Sequence, residues 1–262
     1  MIKVTLWMVF LAAVSYLIMC VLLYSRQRSM IYYPTPPTDS GEAKVIWLSH
    51  QGQSLKVWHI PGSSDRALIY FGGNAEDVAM NIPQFKRLFP EYSIYLHNYR
   101  GYGGSTGKTS EAALFSDAGA LYDYVKTEHR EIAVIGRSLG TGVAVFLASE
   151  KKVSRLVLVT PYDSMVNLAR NYYFLVPVSL LLEDKFDSLS RAGRLATPTL
   201  MLIAEYDEVI PRKRADSLVS ALNPETIRVE VVKGAGHNTI GSYPQYEKAL
   251  NAFLDQPQSA EK

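Results

Sequence analysis

Gly136-Arg137-Ser138-Leu139-Gly140 decides how this chain reads. The five residues follow an apolar run, Ile132–Ile135, and precede a helix-forming stretch from Leu139 to Ser149. The pattern is G-x-S-x-G between a strand and a helix. A serine on so sharp a turn takes a strained backbone conformation. Side chains two residues before and after it would collide with the neighbouring strand and helix, which explains the glycines. The turn lifts the Ser138 hydroxyl above a sheet, at the amino end of a helix. There the helix dipole and the Leu139 N–H favour developing negative charge.

Outward from this turn the chain alternates short β-rich runs with helical patterns. Val45–Leu48 and Leu55–Ile60, joined by Gln51-Gly52-Gln53, predict a hairpin. Ala67–Phe71, Ser93–His97, Leu156–Val159, Thr199–Ile203 and Ile227–Val232 are compact and apolar, as expected of strands buried on both faces of a parallel sheet. Ser110 is a candidate N-cap, with Leu114, Ala118, Leu121 and Val125 on one helical face behind it; Arg212–Leu222 and Tyr243–Leu254 predict further helices. The class is α/β, a mostly parallel sheet with one antiparallel edge and helices on both faces. Chemistry in such sheets sits beyond the carboxyl ends of the strands.

A serine nucleophile needs a base and the base needs a carboxylate. Of five histidines, His237 lies in Gly234-Ala235-Gly236-His237-Asn238, a loop directly after the last strand run. His97 reads as a packing residue at a strand end, and His50, His59 and His129 have no supporting context. No histidine spacing fits a metal site, and no cofactor is expected. Asp207 follows the Thr199–Ile203 run within Ala204–Pro211; its neighbours Glu205 and Glu208 read as surface charges, and Asp163 is the rival acid. Phe71-Gly72-Gly73-Asn74-Ala75 supplies a loop where glycines let backbone approach an oxyanion, so the N–H groups of Asn74 and Leu139 are the candidate donors; Asn74 serves equally as a helix cap. Gly103–Thr109 looks like a phosphate loop, but Tyr102 stands where that pattern needs glycine, so it reads as a loop at the site rim.

Taken together, FGGNAED, NYRGYGGSTG, GRSLG, AEYDEVIP and GAGH resemble the α/β-hydrolase superfamily over about residues 30–255. Chain order Ser138, Asp207, His237 is the order of that superfamily. With the apolar amino terminus described below, the chain looks like the single-pass α/β-hydrolase domain-containing proteins. The resemblance implies an α/β-hydrolase fold, with Ser138 as nucleophile, Asp207 as acid and His237 as base. It also implies hydrolysis of a carboxylic ester, thioester or lipid-like acyl ester through an acyl-serine. The other readings are a serine peptidase of the prolyl-oligopeptidase-like type and a non-catalytic membrane adaptor. Between Val159 and Thr199 the apolar stretch Tyr172–Leu182 reads equally as a small cap over Ser138 and as ordinary helix packing.

At the amino end, Val4–Tyr24 is a run of 21 residues without a charge. At about 1.5 Å per residue it matches a hydrocarbon core of about 30 Å. The run is longer than a signal-peptide core and ends in Ser25-Arg26-Gln27-Arg28 with no small-residue cleavage pattern. Lys3 and the α-amine lie on one side, Arg26 and Arg28 on the other, so positive charge does not choose an orientation. The expected organisation is an anchor over 1–25, a proline-rich linker over 26–43, and a catalytic domain over 44–255. A cap insertion of about 162–195 interrupts that domain, and a frayed tail covers 256–262. The 262-residue chain carries 27 Lys and Arg against 25 Asp and Glu, a net charge of +2, which offers nucleic acid no broad attraction. A lone cysteine, Cys20, excludes an internal disulfide.

Overall fold

The computed structural model describes residues 2–255; the expected frayed tail, 256–262, lies outside the described residues. Helix α1, Ile2–Ile31, carries the apolar run and continues through Ser25–Ile31. It is long and apolar enough to cross a membrane, and the rest of the chain leaves nearly all of its apolar run uncovered. Tyr33–Ser40 forms neither helix nor strand, as its prolines lead one to expect.

Strands β1 (Lys44–His50) and β2 (Gln53–Ile60) form the antiparallel edge. Gln51 and Gly52 take φ of 49° and 72°, the left-handed pair that a tight two-residue hairpin needs. After β3 (Arg66–Phe71) come α2 (Ile82–Leu88), β4 (Tyr92–His97) and α3 (Glu111–Lys126). The Ser110 hydroxyl caps α3 by accepting from the Ala113 N–H at 3.2 Å. Then follow β5 (Glu131–Arg137), α4 (Leu139–Glu150) and β6 (Arg155–Val159). Three short helices, α5 (Met165–Arg170), α6 (Val178–Leu181) and α7 (Ser188–Arg191), fill the insertion before β7 (Thr199–Tyr206). The chain ends with α8 (Arg212–Ala221), β8 (Ile227–Gly236) and α9 (Pro244–Leu254).

The sheet order is β1-β2-β4-β3-β5-β6-β7-β8, with β2 antiparallel to β4 and every later pairing parallel. Two apolar cores cover its faces. Leu114, Leu121, Val143, Leu147 and Leu218 bring α3, α4 and α8 onto one side. Ile82, Phe85, Tyr246, Leu250 and Phe253 bring α2 and α9 onto the other. Burial on both faces explains why β3, β4, β5, β6 and most of β7 read as apolar runs, whereas β8, at the sheet edge and interrupted by Arg228 and Glu230, is largely exposed, contrary to the sequence expectation. Because β3, β5, β6, β7 and β8 point the same way, the loops that follow them gather along one edge of the sheet.

Candidate active site

Ser138 leaves β5 with φ 49° and ψ −116°, a left-handed backbone for a residue that bears a side chain. Its N–H is held by the Val159 carbonyl at 2.9 Å. The glycines around it are fixed by close approach. A Cβ on Gly140 would lie 2.1 Å from the Phe71 carbonyl oxygen, and one on Gly136 would lie 2.4 Å from the Gly140 carbonyl oxygen. Neither neighbour is a flexible side chain, so alanine fits at neither position. Leu139 opens α4, where a backbone N–H has no partner inside the helix.

Asp207 and His237 emerge side by side because their strands do. The last pairing between β7 and β8 joins Tyr206 to Gly236, and the two site residues come next along each chain. The Asp207 carboxylate lies 2.9 and 3.0 Å from His237 Nδ1 and also accepts the N–H groups of Val209 and Ile210. His237 Nε2 lies 2.9 Å from the Ser138 hydroxyl oxygen. An imidazole that donates Nδ1–H to the carboxylate has a free lone pair on Nε2 to accept the serine proton. The side chains of Asp207 and His237 are nearly inaccessible, so their interaction is screened little by water.

The loop after β3 passes over the serine: a Cβ on Gly73 would sit 3.5 Å from the Ser138 Cβ. Glu76 shapes that loop by accepting the Gly73 N–H at 2.5 Å and pairing with Arg137 at 3.2 Å. The Asn74 side chain reaches the other way. Its Nδ2 donates to the Ile31 carbonyl at 2.7 Å, and its Oδ1 accepts the Tyr33 N–H and the Tyr102 hydroxyl. Asn74, Ser138 and Leu139 line one cavity of about 370 Å³.

The other candidates lie elsewhere. Asp163 is buried and occupied by Arg214 at 3.1 Å and by Asn167. His97 is enclosed between Phe71 and Tyr99, and burial pushes its imidazole down to about 4. His50 pairs with Ser116, His129 with Tyr95, and His59 stacks on Tyr95. The Gly103–Thr109 loop packs under the linker through the Gly103 N–H and Thr35 carbonyl; only its neighbour Tyr102 reaches Asn74. Among the described residues no group of three or more His, Cys, Asp or Glu is placed to share a metal ion.

Glu205 and Glu208 are exposed, as expected of surface charges, and they also grip the histidine loop. Glu208 accepts the His237 N–H at 3.0 Å, and Glu205 accepts the Gly234 N–H at 2.8 Å. The bond from His237 N–H holds the Glu208 carboxyl below its ordinary range. Sequence alone offers one faint signal for this, a cluster of three acids before a glycine-rich loop. The participation of α1, which contributes Leu23, Gln27 and Ile31 to the wall of the cavity, left no signal at all.

No family model matches the chain. An uncharacterised protein of Mycobacterium tuberculosis is 32% identical over 231 residues, covering 82% of each chain. The α/β-hydrolase domain-containing protein aho-3 of Caenorhabditis elegans is 31% identical over 76% of this chain and 60% of its own. An α/β-hydrolase domain-containing protein of Xenopus laevis is 28% identical over 88% of this chain and 75% of its own. Among solved structures, a Pyrococcus furiosus esterase superposes with a TM-score of 0.67 at 20% identity, over 86% of this chain and 98% of its own. The strand order, the glycine-flanked serine turn and these relatives agree: the chain belongs to the α/β-hydrolase superfamily.

Proposed function

We propose that the protein is a membrane-anchored serine hydrolase that cleaves carboxylic esters, including lipid-like acyl esters, through an acyl-serine. The observation that supports this most directly is the run of hydrogen bonds from Asp207 through His237 to the Ser138 hydroxyl, each about 3 Å. In this reading His237 Nε2 takes the Ser138 proton as Oγ attacks the ester carbonyl. The Leu139 and Asn74 N–H groups hold the oxyanion. The carbon–oxygen bond to the alcohol then breaks, and His237 returns the proton to the departing alkoxide. Water, deprotonated by the same imidazole, attacks the acyl-serine, and its proton passes back to Oγ as the acid leaves.

The same proposal makes 1–25 the anchor, 26–43 the linker that α1 partly continues into, and 44–255 the catalytic domain, with its cap at about 162–195. The length and exposure of α1 support the anchor. The test combines labelling by a fluorophosphonate probe with turnover of p-nitrophenyl esters. The expected result is stoichiometric labelling at Ser138, with both labelling and turnover lost in Ser138→Ala. Native-rate turnover by that variant would sink the assignment. Preference for peptide amides over esters would move the reading to a peptidase, and an unlabelled Ser138 would make the chain an adaptor.

A further inference from the structure

The membrane helix and the cap meet along one line. Cys20, Leu23, Gln27 and Ile31, spaced three and four apart, form the covered stripe of α1. The cap is tied to this side of the helix. The Tyr16 hydroxyl donates to the Leu175 carbonyl at 2.9 Å, Gln27 bonds both Leu181 and Glu183, and Arg28 pairs with Asp184 at 3.1 Å. Between helix and cap lies the cavity that contains Ser138. Leu23 and Ile31 of α1 line it together with Leu168, Val176 and Leu181 of the cap.

The outer surface of the cap is apolar where water would favour polar groups. Phe174 is 80% exposed and Leu180 83%. The Leu175 backbone meets α1 at Tyr16, which lies inside the uncharged run, eight residues (24 − 16) before its end at Tyr24. Eight helical residues span about 12 Å, most of the roughly 15 Å of one hydrocarbon leaflet. With α1 in a bilayer, the tip of the cap lies within the lipid. An exposed apolar patch joined to an apolar cavity marks a site for an apolar ligand.

We propose that the anchor helix is a substrate-binding element: α1 and the cap together line an acyl-chain site. One long acyl chain of a bilayer-resident ester enters it sideways from the leaflet and presents its carbonyl to Ser138. This rests on the serine-hydrolase reading above and adds to it the substrate class and the route. The anchor does more than tether, because it supplies Leu23, Met30 and Ile31 to the lining of the site.

The test uses the full chain in lipid vesicles with p-nitrophenyl esters from acetate to decanoate. Over that series kcat/KM rises by roughly two- to fourfold per added methylene, the size expected for burying each one. Leu23→Trp on α1 and Leu181→Trp on the cap each fill the cavity, and each lowers the decanoate-to-acetate ratio of kcat/KM at least tenfold. Labelling of Ser138 at the native rate checks that each variant keeps its fold; if one fails that check, the other decides. A flat chain-length series, or equal losses on acetate and decanoate in a labelled variant, overturns the proposal. Undiminished acetate turnover by Ser138→Ala would instead break the underlying reading and leave chain length uninterpretable.

Discussion

The turn at Ser138 and the insertion between β6 and β7 line one cavity, yet they are built on opposite terms. Around Ser138 the constraints are internal: backbone presses on backbone, glycines are forced, and the serine holds a left-handed φ. In the insertion, the turn segment before α6 exposes Phe174 and Leu175, α6 exposes Leu180, and the insertion's partners are α1 and, in our proposal, lipid. A region fixed by its own atoms announces itself in sequence. A region completed by something outside the domain does not.

Substitutions can break this contrast or sharpen it. Ser138→Ala removes the attacking oxygen and keeps the backbone, so ester turnover falls by roughly 10⁴–10⁶-fold with an unchanged melting curve. Asp207→Asn leaves the geometry but favours the wrong imidazole tautomer; steady-state assays should record a drop of about 10⁴-fold. Gly140→Ala drives a methyl into the Phe71 carbonyl and costs roughly 3 kcal/mol, seen as a fall in Tm of about 6–12 °C. Ser138→Gly acts in reverse: it relieves the left-handed φ and stabilises the fold by about 1 kcal/mol while abolishing activity, measurable by denaturant titration. A loss of stability in that variant would show the turn to be unstrained.

The smallest effect is expected at Glu208. Its folded-state pKa lies below the ordinary value because the carboxylate accepts the His237 N–H. Its stabilising contribution is therefore complete above the ordinary carboxylate range and disappears as pH falls through the lowered value. Glu208→Gln should lower kcat/KM roughly three- to fivefold near neutral pH and flatten the acid limb of the stability curve, followed by thermal melts at stepped pH. An acid limb identical to the native one would show that the loop is held by other contacts.

Ser138, Asp207 and His237 could be proposed from sequence because Ser138 lies inside a steric motif and the other two lie a few residues beyond recognisable apolar runs; the strands extend past those runs, to Tyr206 and Gly236, and so end next to the two residues. The sheet was legible for the same reason, since strands buried on both faces leave unbroken apolar runs. Glu205 and Glu208 are the surface charges they read as, but their grip on Gly234 and His237 was not legible, because those partners lie 29 residues away, a distance no local pattern spans. The apolar stretch 172–182 read equally as cap and as core packing. Hydrophobicity records what a residue avoids, whereas only the fold shows whether protein or lipid takes the place of water.

The Asn74 carboxamide joins two parts that are usually considered separately. One end of it receives the chain just past α1, and the other grips the helix's final carbonyl, while its own backbone belongs to the loop beside Ser138. A fragment cut ahead of Tyr33 for the sake of solubility would strip that amide of the Ile31 carbonyl and unroof the reaction chamber. Kinetics measured on such a fragment would describe a cavity that lacks the residues α1 contributes to it.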